Sequence, residues 1–143
     1  MPDLPIEYLT EEIDFTLANQ EEVSTWLLMI ISEHKFELEN LTYIFCSDDY
    51  LLGINQEYLN HDTLTDIITF NNADEKGIIE SDIFISIPRV QENAEQLNLF
   101  MKDELHRVMV HGVLHLLGYD DKSDVLKQLM RDKEDYYLSL RNF

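Results

Sequence analysis

The chain has 143 residues, 45% of them hydrophobic, including seven Phe, seven Tyr and one Trp. That is enough apolar mass for one domain spanning residues 1–143, and too much for a disordered chain. Twenty-nine acids against ten bases give a formal net charge of −19, which opposes binding of a polyanion over the surface as a whole. The apolar run from Trp26 to Ile31 is six residues, against the ~20 of a membrane span. Met1-Pro2-Asp3-Leu4-Pro5 has no basic stretch leading into an apolar one, so no secretory signal is predicted. Cys46 is alone, which excludes an internal disulfide and suits a reducing cytoplasm.

In chain order, Ile6 to Tyr8 and Ile13 to Phe15 have short strand character. Asn19, with Glu22 three residues on, has the pattern of an N-cap and capping box opening a helix to about His34. Val23, Trp26, Leu27, Ile30 and Ile31 fall at helical spacing and are predicted core. Leu41 to Cys46 reads as a strand through Tyr43, Ile44 and Phe45. Cys46 within it reads as a packing residue, not a nucleophile. Ser47-Asp48-Asp49 caps a helix through Tyr58, and a loop at 60–64 leads to a strand from Asp66 to Phe70. The polar turn from Asn71 to Gly77 and a strand from Asp82 to Ser86 complete a hairpin. Pro88 suits the first turn of a helix to about Leu97. Helices follow at about 103–117 and 123–140. Strands first and helices later predict an α+β fold.

The most informative stretch lies in the first of those last two helices. His111 and His115 are four apart in His111-Gly112-Val113-Leu114-His115-Leu116-Leu117-Gly118-Tyr119-Asp120-Asp121. Positions i and i+4 lie on one helical face, one turn apart, so two imidazoles can share one metal ion. Gly118 can end the helix in a left-handed conformation and return Asp121 towards the pair. Three protein ligands and one open position is the arrangement of catalytic zinc. The alternative is a pair of hydrogen-bonded, half-buried histidines with no metal. Zinc proteases carry a glutamate after the first histidine as general base; here Gly112 stands there, so peptide hydrolysis by that route is disfavoured.

This stretch resembles His-Gly-x-Leu-His-Leu-x-Gly-Tyr-Asp-His, the signature of the YbeY family of metal-dependent endoribonucleases implicated in ribosomal RNA maturation. Residues 111–120 match, and Asp121 replaces the last histidine. A second block is similar over Asn55-Gln56-Glu57-Tyr58, Asp62 and Thr65-Asp66-Ile67-Ile68-Thr69-Phe70. A third is similar over Ser81-Asp82-Ile83-Phe84-Ile85-Ser86. The resemblance implies a zincin-like layout, with a small mixed sheet covered by helices and the metal helix in the C-terminal half. It implies zinc, one per chain, on His111, His115 and Asp121, with manganese or another divalent ion as the alternative. Asp121 supplies a hard anionic oxygen, which makes harder ions more competitive. Thr65 and Asp66 are implied substrate or water contacts in catalysis. Leu59 stands where the family usually has an arginine, a candidate phosphate contact.

The remaining candidates read as follows. His106 is rotated off the ligand face, to the surface or to a position behind the ligands. His61 lies in a loop, and His34 near a helix C-terminus makes a favourable dipole contact. Glu104, seven residues before His111, is a possible base, though a first-turn glutamate complementing the helix dipole is the simpler reading. Asp120 orients a ligand histidine or ends the helix. The general base is otherwise open, as is the choice between water and a 2′-hydroxyl as nucleophile.

Residues 1–86 carry 19 acids and two bases, whereas residues 87–143 carry ten acids and eight bases. Arg89, Lys102, Arg107, Lys122, Lys127, Arg131 and Lys133 form either a local phosphate-binding surface or a set that neutralises nearby acids, as Lys127 and Arg131 would against Asp124, Glu134 and Asp135. The predicted protein is a cytoplasmic endoribonuclease of ribosomal RNA maturation that binds RNA weakly, with ribosomal proteins as possible partners of its acidic surface. The rivals are a zinc hydrolase of peptides or small molecules, and an acidic assembly factor with a structural metal.

Overall fold

The computed structural model describes residues 5–61 and 63–143. The first four residues and Asp62 of the second motif block lie outside the described residues. The elements are β1 (Ile6–Glu11), α1 (Gln20–Glu33), β2 (Glu37–Cys46), α2 (Asp48–Leu59), β3 (Ile67–Asn71), β4 (Ile78–Ser86), α3 (Ile87–Leu97), α4 (Met101–Leu116) and α5 (Asp124–Ser139).

The strands form one mixed sheet in the order β1-β2-β4-β3. β1 pairs parallel with β2, β2 parallel with β4, and β3 antiparallel with β4 as the expected hairpin. Because side chains alternate across a strand, the register Tyr43↔Ile83 and Phe45↔Ile85 puts four large residues on one face. That face meets Val23, Leu27, Ile30 and Ile31 of α1 and Val108, Met109, Val113 and Leu114 of α4 in the main core. The intervening residues Cys46, Ile68 and Phe84 face the other way and meet Tyr50, Leu51 and Ile54 of α2 in a smaller core. The buried Tyr43 hydroxyl donates to the Met109 carbonyl at 2.9 Å, pinning α4 to the sheet. The arrangement is the expected α+β fold, a small mixed sheet covered by helices.

Three expectations need correction. Ile13 to Phe15 is not a strand: Glu12 takes φ +56, which breaks the extended chain, and both apolar side chains reach the core from irregular backbone. Asn19 stands at the N-cap of α1 but in the left-handed conformation, with no side-chain cap bond. The capping box therefore does not form there. The third is His106, which is off the cleft face of α4 but 1% exposed. Its ring lies 5.7 Å from Trp26 and 5.6 Å from Phe143. The opposite face of α4 is covered by α1 and the chain end, so neither a surface position nor one behind a ligand applies. β2 and β4 also begin earlier than predicted, because parallel pairing of residues 37–40 with 78–80 organises a stretch that lacks a clear apolar run.

Serine caps hold as read at Ser47, whose side chain accepts from the Tyr50 amide, and recur at Ser86 and Ser123. Cys46 is buried, and burial first, then Asp48, Glu11 and Glu12, push its thiol up to about 12. It is a packing residue. Among the described residues, no helix is long and apolar enough to cross a membrane.

Candidate active site

A cleft of about 430 Å³ opens between α4, α5 and the segment entering β3. Glu104, Arg107, Val108 and His111 line it from α4, since these spacings share one helical face. Gly112 faces the sheet instead. A Cβ there would lie 3.0 Å from Ile83 Cδ1 and 3.1 Å from Ile67 Cδ1. The glycine thus lets α4 approach the sheet, and a protease-type glutamate at this position would be driven into the core.

His111 Nδ1 donates to Glu134 Oε2 at 2.8 Å. A carboxylate only accepts, so the Nδ1–H tautomer is fixed and the Nε2 lone pair is left free. Nε2 lies 3.9 Å from Asp121 Oδ2. Glu134 is 5% exposed, and its other oxygen accepts from Arg107 Nη1 at 3.1 Å. Arg107 Nη2 donates to Asp135 at 2.6 Å. The Glu134 hydrogen bond raises the His111 pKa against the opposing effect of burial, and the charges of Glu134, Asp121 and Asp66 add to the rise. Sequence reasoning named Glu134 only as a charge for Lys127 and Arg131 to neutralise. The signal was present: with buried Met130 and Tyr137 it occupies i, i+4 and i+7 of α5, a carboxylate on an otherwise apolar stripe.

Gly118 takes φ +110 after α4, as the turn requires. Asp120 accepts from the Lys122 amide at 3.0 Å, so it builds the turn that delivers Asp121 to the cleft. His34 caps α1, and its Nδ1 donates to the Ile30 carbonyl at 2.8 Å. Its Nε2 then accepts from the Tyr119 hydroxyl at 3.0 Å, tying the turn to α1.

His115 is exposed and does not line the cleft. Among the described residues, no three His, Cys, Asp or Glu side chains are gathered closely enough to hold a metal ion in this conformation. The donor chemistry nevertheless fits one. Donors sharing a tetrahedral zinc lie roughly 3.3–3.5 Å apart, and the His111 Nε2–Asp121 Oδ2 separation is 3.9 Å. The Nδ1–carboxylate bond of His111 is the support that metal-bound imidazoles use.

Asp66 lines the cleft, accepting from Asn93 Nδ2 at 3.3 Å; burial is the largest influence on its pKa and raises it above that of a free aspartate. Thr65 does not line it, and its hydroxyl donates to the Ile67 carbonyl at 3.4 Å. His61 and Leu59 are exposed around the end of α2. The basic set divides. Arg89 pairs with Asp48 and Glu92, and Arg107 with Glu134 and Asp135. Lys102 and Lys133 lie over the rings of Phe143 and Tyr119. Lys127 and Arg131 line the cleft without an ion-pair partner among the described residues. Of the three acids expected to neutralise them, Glu134 and Asp135 are taken by Arg107.

A helix on the face of a small mixed sheet, presenting a carboxylate-oriented histidine to a charged cleft, defines a zincin-like α+β protein. The profile of the endoribonuclease YbeY family matches residues 6–141. An endoribonuclease YbeY of Cytophaga hutchinsonii is 50% identical over 143 residues, covering all of both chains. One of Flavobacterium psychrophilum is 53% identical over 132 residues, covering 90% of this chain and 91% of that one. A solution structure of a Thermotoga maritima protein is similar at a TM-score of 0.67 and 27% identity, over 94% of this chain and 87% of that one. The chain belongs to the endoribonuclease YbeY family.

Proposed function

We propose that this protein is a metal-dependent endoribonuclease of the cytoplasm that acts in ribosomal RNA maturation. Family membership over nearly the whole chain supports the reaction class. The observation that carries the site is His111, with Nδ1 held by Glu134 and Nε2 turned to Asp121 in an open cleft. His111, His115 and Asp121 would hold one divalent ion, zinc or manganese. When bound, that ion supplies positive charge that polarises a phosphodiester oxygen. Glu134 keeps the proton at His111 Nδ1, and Arg107 keeps Glu134 in place. Lys127 and Arg131 put positive charge at the cleft for neighbouring phosphates. Asp66 is a substrate contact on the opposite wall, and Thr65 positions it. With −19 overall, RNA binding is weak and steeply salt-dependent, and the acidic surface faces ribosomal proteins.

Elemental mass spectrometry beside cleavage of a structured ribosomal RNA fragment tests this reading. The parent chain carries one transition metal and cleaves, and extensive chelation stops cleavage. His115→Ala stays folded and loses the metal. Metal content unchanged in that variant would show that the ligand set is wrong, and cleavage surviving verified metal loss would remove the ion from the mechanism.

A further inference from the structure

Glu104 is a buried ionisable group to which the reading above gives no role. It stands two turns before His111 on the same face of α4 and lines the same cleft. Its side chain is 7% exposed, yet Oε1 has no hydrogen-bond partner among the described residues. Arg107 Nε lies 4.0 Å from that oxygen, too far for a hydrogen bond, and the rest of the guanidinium is engaged by Glu134 and Asp135. A glutamate that served only the helix dipole would gain nothing from being buried without a donor. Buried polar atoms left unsatisfied are rare, and a functional cleft is where they persist.

We propose that Glu104 accepts the proton of the attacking hydroxyl during RNA cleavage; this rests on the endoribonuclease reading. A lone pair of Oε1 takes the proton as the O–H bond breaks, and the freed oxygen pair forms the new bond to phosphorus. The P–O5′ bond breaks with its electron pair leaving on O5′, which takes the proton back from the Glu104 carboxylic acid. The charges facing Glu104 suit this exchange. Arg107 on its own helix and Arg131 on α5 favour the carboxylate, while Asp66 before β3 and Glu134 on α5 disfavour it. Burial is the largest influence, and together these raise its pKa above that of a free glutamate, the direction that makes the carboxylate a stronger base.

The test uses the metal-loaded parent and Glu104→Gln, with metal content verified, on a ribosomal RNA oligonucleotide across pH. The expected result is a fall in kcat on the order of 10²- to 10³-fold with KM within twofold, and loss of the acid limb of the parent profile. Glu104→Asp, which keeps a carboxylate, retains that limb at a lower rate. A readout apart from activity is urea unfolding of the metal-free chains, where Glu104→Gln is at least as stable as the parent because a neutral amide costs less to bury than a carboxylate whose Oε1 meets no donor. Retention of kcat within threefold, an unchanged acid limb in the Gln variant, or loss of the limb in the Asp variant overturns the proposal. A metal-loaded parent that does not cleave RNA would instead overturn the endoribonuclease reading and this inference with it.

Discussion

Gly112 and His106 lie on other sides of α4 from the cleft, and each has a measurable signature. A methyl at Gly112 meets the ends of Ile83, which is fully buried, and Ile67. Overpacking of this kind costs about 1–3 kcal/mol, and the gain in helix propensity returns about 1 kcal/mol. Gly112→Ala is therefore expected to lose roughly 1 kcal/mol by urea unfolding; a variant as stable as the parent would show that the sheet gives way freely. His106 Nδ1 lies 2.6 Å from Arg141 Nη1. Arginine only donates, so this imidazole is the neutral acceptor. Burial, and then the charges of Arg141 and Lys102, lower its pKa to about 4 from 6.5. Between those values the unfolded chain binds a proton that the folded chain refuses, so stability falls as pH drops from 6.5 to 4 and levels off below. The full effect is about 3 kcal/mol. Comparing unfolding of the parent with His106→Leu across pH 4–7 isolates this contribution. Identical slopes would show that His106 titrates normally.

At the scale of elements, the cleft depends on how α5 is held against α4. Ser123 caps α5 by accepting from the Leu126 amide at 3.1 Å, and Glu134 lies on the third turn of that helix. Ser123→Ala should cost about 1 kcal/mol of stability. If α5 moves as a unit with its cap, hydrogen exchange in that helix rises and the His111 imidazole loses its single tautomer by nitrogen NMR. Unchanged exchange and tautomer would show that the Arg107–Glu134 contact holds α5 without its cap. α4 has no side-chain cap at Phe100, and its place is set by packing and the Tyr43–Met109 bond.

For the whole molecule, the charge map is the property to test. Arg107 belonged to the predicted phosphate surface, but it is committed to Glu134 and Asp135, so reversing it would disturb His111 rather than report on RNA. Arg131 and Lys127 are the informative positions. Arg131→Glu should weaken RNA binding and lower the slope of affinity against salt by about one, while Lys35→Glu leaves both near the parent values. Equal losses at the two positions would show that binding follows net charge and not the cleft.

The sequence by itself determined the parts of this protein governed by local rules. The i, i+4 histidines, the left-handed turn at Gly118, the serine cap at Ser47 and the strands carrying Tyr43, Phe45, Ile83 and Ile85 follow from helical and strand periodicity and from turn chemistry, and the α+β class follows from their order. The family resemblance added the order of its motif blocks. Only the tertiary structure decided the rest. Glu134 reaches His111 from 23 residues away because two helices pack, and Arg107 is withdrawn from solvent by the same packing. Gly112 reads only as a missing glutamate until the sheet is seen beneath it, and His106 as a residue at the surface or behind the ligands until Trp26 and Phe143 close over it. Asn19 satisfies the local pattern of a cap and still adopts another conformation, since the path of the chain into α1 is set by where the core needs that helix. Periodicity fixes which face a side chain occupies, but what lies against that face is a contact between distant segments, and no local spacing encodes it.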